Sequence, residues 1–160
     1  MNAPDVDDAH FRQLLGRFAT GVVVITVGAE DGRPHGMTAN SLASVSLNPP
    51  LVSLSIDHRA ELHALITRRD VFVANVLSSH QETLSRRFAD PHDDRFDGVG
   101  YSTSRIGGIV LDGTLAHIEC VRHQTVEAGD HTLVIGRVVG GSTRDGRPLL
   151  YYRGGYGTLG

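Results

Sequence analysis

Short runs of strand-forming residues recur along this chain, and little between them has the length or period of a helix. Residues 22–27 (VVVITV) are β-branched throughout, and residues 51–56 set Val52, Leu54 and Ile56 on one side against Ser53 and Ser55 on the other. Residues 71–77, 115–126, 131–139 and 149–152 are further runs of the same kind. The Asp31-Gly32 pair between Glu30 and Arg33 is the signature of a tight hairpin turn. Many strands with few, short helices predict a mainly β domain, a barrel or sandwich with helices at its periphery.

Three helices are expected. Phe11, Leu14, Leu15 and Phe18 fall at i, i+3, i+4 and i+7, an amphipathic stripe that Asp7 or Asp8 can cap. Residues 60–67 carry Leu62, Leu65 and Ile66, and Ser79-His80-Gln81-Glu82 reads as a capping box with Leu84 and Phe88 behind it. Residues 90–108 read as one long polar loop rich in Asp and Gly, a length that often serves function.

The stretch 36–47 alternates. Thr38, Asn40, Ser44 and Ser46 are polar while Ala39, Ala43, Val45 and Leu47 are apolar, with Ser41 and Leu42 as the exceptions. This predicts a strand with one apolar face and one hydroxyl-and-amide face, broken by Asn48-Pro49-Pro50. Hydroxyls and backbone N–H groups in such a row can satisfy a polar, planar or phosphorylated ligand. The same pattern also suits an antiparallel sheet face turned to water.

The chain has 160 residues, enough for one domain with its own core. Its net charge of −3 gives no basic footprint for nucleic acid, and the pairs Arg68-Arg69 and Arg86-Arg87 read as solvated helix ends. The acidic start MNAPDVDDAH lacks the pattern of a signal peptide. No apolar run approaches the ~18 residues of a membrane helix. The single cysteine, Cys120, alternates with Ala116 and Ile118 and is expected to be a buried thiol, which fits a cytoplasmic protein.

Several motifs carry no chemistry. Residues 155–160 spell G-x-G-x-x-G, yet the dinucleotide fingerprint needs a helix after it, and none follows. The histidines number nine, but His58 with His63, and His92-Asp93-Asp94, match no familiar ligand spacing and are expected to be exposed polar residues. No compact basic cluster for a 2′-phosphate is evident along the chain. Glu127, Gly129, Asp130 and His131 place a titratable ring at the mouth of a strand. That arrangement fits a turn histidine bonded to its neighbours, or a group aimed at a ligand, and periodicity does not settle which.

Six blocks now stand in order: FATGVVVIT (18–26), HGMTANSLASVSLNPPLV (35–52), ANVLS (74–78), QxxLSxxFA (81–89), AGDHTLVIG (128–136) and PLLYYRGGYG (148–157). Together they resemble the flavin reductase family, the short reductase components of two-component flavin-dependent monooxygenases. The resemblance implies a single flavin reductase-like domain over 1–160, with about residues 1–9 as a tail, folded as an FMN-binding split β-barrel with a few short peripheral α-helices. It implies a homodimer that binds FMN or FAD, reduces it with NADH or NADPH and supplies the reduced flavin to an oxygenase component. A flavin-holding electron-transfer or sensor protein on the same barrel is the alternative. By the same resemblance Thr38, Ala39, Asn40 and Ser41 line the isoalloxazine and ribityl chain. Ser55, Ile56 and Arg59 lie on the phosphate side, and Phe88 and Ala89 form a further flavin-contacting corner. Gly129, Asp130 and His131 form the nicotinamide-docking turn, with Tyr156 near the same pocket. His131 is expected to position the hydride donor, not to act as acid or base; hydride transfer is the cofactors' own chemistry.

Overall fold

The structure is a computed structural model and describes residues 3–91 and 94–160. In chain order its elements are α1 (Asp8–Leu15), β1 (Thr20–Gly21), β2 (Val23–Gly28), β3 (Pro34–Ala39), β4 (Ala43–Leu47), β5 (Pro50–Asp57), α2 (Glu61–Ile66), β6 (Val71–Val76), α3 (Glu82–Ala89), β7 (Tyr101–Thr103), β8 (Ile109–Leu111), β9 (Ala116–Ala128), β10 (His131–Thr143), β11 (Leu149–Tyr152) and β12 (Gly155–Thr158). No helix among the described residues is long and apolar enough to cross a membrane.

Seven strands form one antiparallel sheet in the order β3-β2-β6-β9-β10-β5-β4. Its two edge strands, β3 and β4, are consecutive in the chain and only Asn40, Ser41 and Leu42 separate them. Laid flat, seven strands would hold their edges ~29 Å apart. The four Cα steps from Ala39 to Ala43 reach ~14 Å at most. The sheet therefore curls until its edges face each other, which is a split barrel. Beside it lie a three-stranded sheet, β1-β11-β12, and the small β7-β8 hairpin.

Period-two alternation fills both sides of the wall. Val23, Ile25 and Val27 point inward with Val52, Leu54, Ile56, Phe72, Cys120 and Val134, and Leu62 and Ile66 of α2 plug this core. Val22 and Val24 point outward to Leu77, Phe88, Leu111 and Leu149. Strand β2 is buried on both faces, which is why its sequence reads as an unbroken apolar run.

Four expectations change in detail. The alternating stretch 36–47 is two strands, because Ser41 leaves the ladder; its Oγ accepts from the Ser55 N–H at 3.0 Å and donates to the Ser55 carbonyl at 3.2 Å. The apolar face of β4 looks outward, with Leu47 95% exposed. Helix α3 starts without the Ser79–Glu82 capping box: Gln81 is its N-cap, and the Gln81 side-chain oxygen accepts from the Ser78 N–H at 3.0 Å. The 90–108 loop contains β7, which pairs with β8. Helix α1 forms with Asp7 as its cap, the carboxylate accepting from the His10 N–H at 2.8 Å. Its apolar stripe of Phe11, Leu14 and Leu15, continued by Phe18, stays exposed.

Candidate active site

Between the β3 edge and the β11–β12 pair lies a slot of about 200 Å³, lined by Thr38, Ala39 and Asn40 on one side and by Ala89, Tyr151, Tyr156 and Val22 on the others. Its walls are pinned. Thr38 donates to the Ser85 carbonyl at 2.6 Å, and the Tyr156 hydroxyl meets Ser85 Oγ at 2.8 Å. The Tyr156 ring stands edge-on to Tyr151 at 5.5 Å, with the Arg86 guanidinium 4.8 Å from its centroid. At Gly36 there is no room for a side chain: a Cβ would lie 2.8 Å from the Phe88 ring. That close approach seats α3 on β3 and brings Ala89 to the slot. The Phe88 side chain itself is fully buried.

The next residue, Ser41, carries the site to the other edge of the split. Its partner Ser55 on β5 stands opposite Leu133 of β10, and two residues along the same face Asp57 stands opposite His131. Ile56 points its side chain into the core at 0% exposure, so only its main chain faces this surface. Arg59 is exposed and bonded to Asp57, at 3.2 Å from Nε and 2.9 Å from Nη2. These bonds, with one from the Arg59 N–H, hold the Asp57 carboxyl well below the usual range.

The turn that carries His131 is a two-residue hairpin between β9 and β10, with Gly129 at φ +64°. His131 Nδ1 lies 2.6 Å from Asp130 Oδ1. An ionised carboxylate only accepts, so Nδ1 carries the proton, and the bond keeps the Asp130 carboxyl below its ordinary value. In the neutral ring Nε2 is then left as a free acceptor.

Behind the turn lies a chain of side chains. Buried Thr132 donates to Glu127 Oε1 at 2.9 Å, and His63 Nε2 lies 2.8 Å from the same hydroxyl oxygen. The hydroxyl has one proton and gives it to Glu127, so His63 Nε2 is the donor to Thr132. His58 Nε2 reaches the other Glu127 oxygen at 2.8 Å, and the His58 and His63 rings meet edge-on at 5.2 Å. The Thr132 hydroxyl, with His58 beside it, lowers the Glu127 carboxyl from its ordinary value. His58 and His63 were expected to be exposed polar residues; His58 is exposed and His63 half-buried, and both are tied to β9 and β10 through Glu127 and Thr132.

The site residues expected from the sequence thus fall into two adjoining groups. Thr38, Ala39, Asn40, Ala89 and Tyr156 line the slot. Ser41, Ser55, Arg59 and His131 lie along β5 and its neighbours, with Gly129 and Asp130 in the turn. Tyr156 lines the slot at Asn40, whose walls do not include the Gly129–His131 turn. Tyr151, Ser85 and Thr132 were not singled out beforehand, and Glu127 was noted only as a neighbour of the turn. Glu127 and Thr132 flank the turn in the sequence, but only the β9–β10 register shows them facing each other. The Cys120 thiol, fully buried, is pushed up to about 12 by burial and carries no nucleophilic role. Among the described residues no group of three or more histidine, cysteine or carboxylate side chains is placed to hold a metal ion; His92 and Asp93 lie outside those residues.

Comparison with known proteins decides the family. The family model described as the flavin reductase like domain matches residues 15–160. The chain belongs to the flavin reductase family. A flavin reductase of Pseudomonas putida is 41% identical over 153 residues, covering 95% of this chain and 90% of that protein. An FMN reductase (NADH) of Agrobacterium fabrum is 42% identical over 147 residues, covering 92% of this chain and 83% of its own. Among solved structures, the NADH:FAD oxidoreductase of Streptomyces globisporus, in complex with NAD and FAD fragments, superimposes with a TM-score of 0.91 at 37% identity, covering 99% of this chain and 98% of that one.

Proposed function

We propose that this chain is an NAD(P)H:flavin oxidoreductase that binds FMN or FAD at the barrel split and supplies reduced flavin to a partner monooxygenase. The observation that carries this reading is the meeting, across β5, of the Asn40–Ser41 edge with an imidazole whose tautomer is fixed. The slot suits a flat ring. Thr38, Ala39 and Ala89 are short, and Tyr151 and Tyr156 give it an aromatic wall. A second cavity of about 320 Å³ shares Asn40 and Tyr151 with it, which leaves room beyond the ring for a nucleotide chain.

In this reading Thr38, Ala39, Asn40 and Ser41 hold the ring and ribityl edge through main-chain N–H groups and short side chains. Ser55, the main chain of Ile56 and Arg59 take the flavin phosphate, Arg59 sharing its guanidinium with Asp57. Phe88 and Ala89 form the corner of the slot, and Tyr156 its wall. Gly129 gives the turn its left-handed backbone, Asp130 locks the ring of His131, and the free Nε2 accepts a hydrogen bond from the carboxamide N–H of the nicotinamide. The flavin, when bound, accepts the hydride. The protein's part is to hold the two rings ~3–3.5 Å apart in stacked geometry. His131 needs no proton exchange for this and is a positioning residue.

The reading extends to the assembly. The chain is one domain from α1 to β12, and two copies pair through exposed apolar residues such as Phe18, Val45 and Leu47. The free thiol of Cys120 accords with a cytoplasmic location. The test is direct: purified protein is mixed with NADH and excess FMN or FAD in air and absorbance is followed at 340 nm. Steady oxidation that depends on added flavin is expected. A protein that binds flavin without turnover, or binds none, overturns the assignment.

A further inference from the structure

The slot at Asn40 opens onto a groove. It shares Asn40 and Tyr151 with the 320 Å³ cavity, which Phe11, Leu15 and Phe18 wall on the α1 side. That cavity in turn shares Arg12, Gly16, Arg153 and Gly154 with a third, of about 600 Å³, which adds Gln13 and Arg17. The path therefore runs from the Asn40 slot, past an aromatic wall, to three arginines. They come from both ends of the sequence, so no basic cluster is visible in the linear chain. Among the described residues none of the three makes an ion pair within 4.0 Å, and no carboxylate lines their cavity. On a chain of net charge −3, three converging cations without acids are a local reversal of sign.

The backbone at Arg153 adds a second observation. Tyr152 pairs with Gly155, so Arg153 and Gly154 are the two central residues of the β11–β12 turn, with φ +52° and +79°. A type I′ turn needs positive φ at both positions and is the usual place for Asn, Asp or Gly at the first. Arginine is uncommon there, and among the described residues it is the one non-glycine held at positive φ. The Arg153 N–H donates to the Gly16 carbonyl at 3.1 Å, which docks this turn on the end of α1 and brings Arg153 beside Arg12 and Arg17. Strained backbone at a cavity edge is a reason to look for a ligand.

We propose that the Arg12–Arg17–Arg153 cavity is a phosphate subsite for a nucleotide engaged at the Asn40 slot. The inference rests on the reading of that slot as a nucleotide site. Guanidinium forks match phosphate oxygens in pairs, and three of them serve a diphosphate, or a phosphomonoester, better than any uncharged group. The intervening Phe11, Phe18 and Tyr151 offer surface for the sugar or a second ring. Two nucleotides could bring the phosphate: the flavin, or the hydride donor.

Arg153→Asn combined with Arg17→Gln tests this. Asparagine tolerates the left-handed turn, so the backbone keeps its conformation while two charges are lost. Binding of riboflavin, FMN and FAD is titrated by fluorescence, and KM is measured for NADH and NADPH at low salt. Loss of one charge-assisted hydrogen bond corresponds to about a tenfold change or more. Weaker FMN and FAD binding with riboflavin unchanged assigns the cavity to the flavin phosphate and moves that phosphate away from Arg59. A raised KM for both donors with flavin affinity unchanged assigns it to the donor diphosphate. A rise for NADPH alone assigns it to the 2′-phosphate. If a normally melting variant shows none of these changes, or loses riboflavin as much as FMN, the phosphate subsite is refuted. Should the unaltered protein bind no flavin at all, the slot reading itself has failed, and the titration of the unaltered protein separates that failure from the other.

Discussion

Replacing Thr132 by valine removes one oxygen from behind the turn that carries His131. Thr132 is 0% exposed, and its hydroxyl bridges Glu127 Oε1 at 2.9 Å and His63 Nε2 at 2.8 Å. Valine keeps the shape, so no cavity opens beside Ile56, its partner across the sheet. What is lost is two hydrogen bonds, each worth about 1 kcal/mol net, hence about 2 kcal/mol in all. For a chain of this length ~2–4 °C of Tm accompany each kcal/mol, so Tm should fall by ~4–8 °C. The functional readout is more specific. With Glu127 and His63 unlinked from β10, the turn loses its backing, while Ser41 and Ser55 keep their bonds. KM for NADH should rise about fivefold, as ~1 kcal/mol of positioning requires. Flavin affinity, titrated by fluorescence, should stay the same. An unaltered Tm together with an unaltered KM, or a flavin affinity that falls while KM holds, would refute the view that this chain of side chains braces the turn.

Other outcomes follow from the same geometry. His131→Ala should slow anaerobic flavin reduction in stopped flow by ~5–150-fold, the range for ~1–3 kcal/mol, with flavin affinity little changed; an unchanged rate and KM would remove His131 from the site. Asn40→Ala should weaken flavin binding modestly, whereas Asn40→Pro, which deletes a main-chain donor at the split, should abolish it; equal affinities would place the flavin elsewhere. Asp57, Asp130 and Glu127 all titrate below their ordinary values of 3.8, 3.8 and 4.5, chiefly through bonds from Arg59, His131 and Thr132. Depressed carboxylates stabilise fully above their unfolded values and lose that contribution as pH falls through the folded ones. Melting temperature should therefore decline below about pH 4.5, and Asp57→Asn should flatten the decline; an identical acid profile in that variant would count against the Arg59 pairing.

Much of the barrel was legible because burial imposes a period. Val52, Leu54 and Ile56 face the core as their alternation requires, and residues 22–27 read as a strand, which the structure covers on both sides. The break between β3 and β4 was visible only as two exceptions, Ser41 and Leu42. A phase slip of this kind looks like noise until the Ser41–Ser55 bonds show what replaces the ladder. Burial on the apolar side of β4 and along α1 could not be inferred, since an apolar residue looks the same whether its own domain or a second copy covers it. The expected slot residues Thr38, Ala39 and Asn40 lie together because they are neighbours in the chain. The arginine cavity and the Glu127–Thr132–His63 chain draw on residues far apart in sequence, 69 positions in the case of His63 and Thr132. No local pattern reports such meetings; the docking of the β11–β12 turn on the end of α1 creates the first, and the β9–β10 register with His63 of α2 creates the second.

The three residues from Asn40 to Leu42 act as a drawstring. They tie one margin of the curled sheet to the other along the chain, and the proposed ring site hangs on them. Lengthening the string by a few glycines would cost little closure entropy, since that term grows only with the logarithm of loop length. The barrel would still assemble, held by the β9–β10 and β10–β5 ladders. The margin bearing Thr38 and the margin bearing Ser55 would drift apart, however, and a protein so altered should lose its grip on flavin long before it loses its shape.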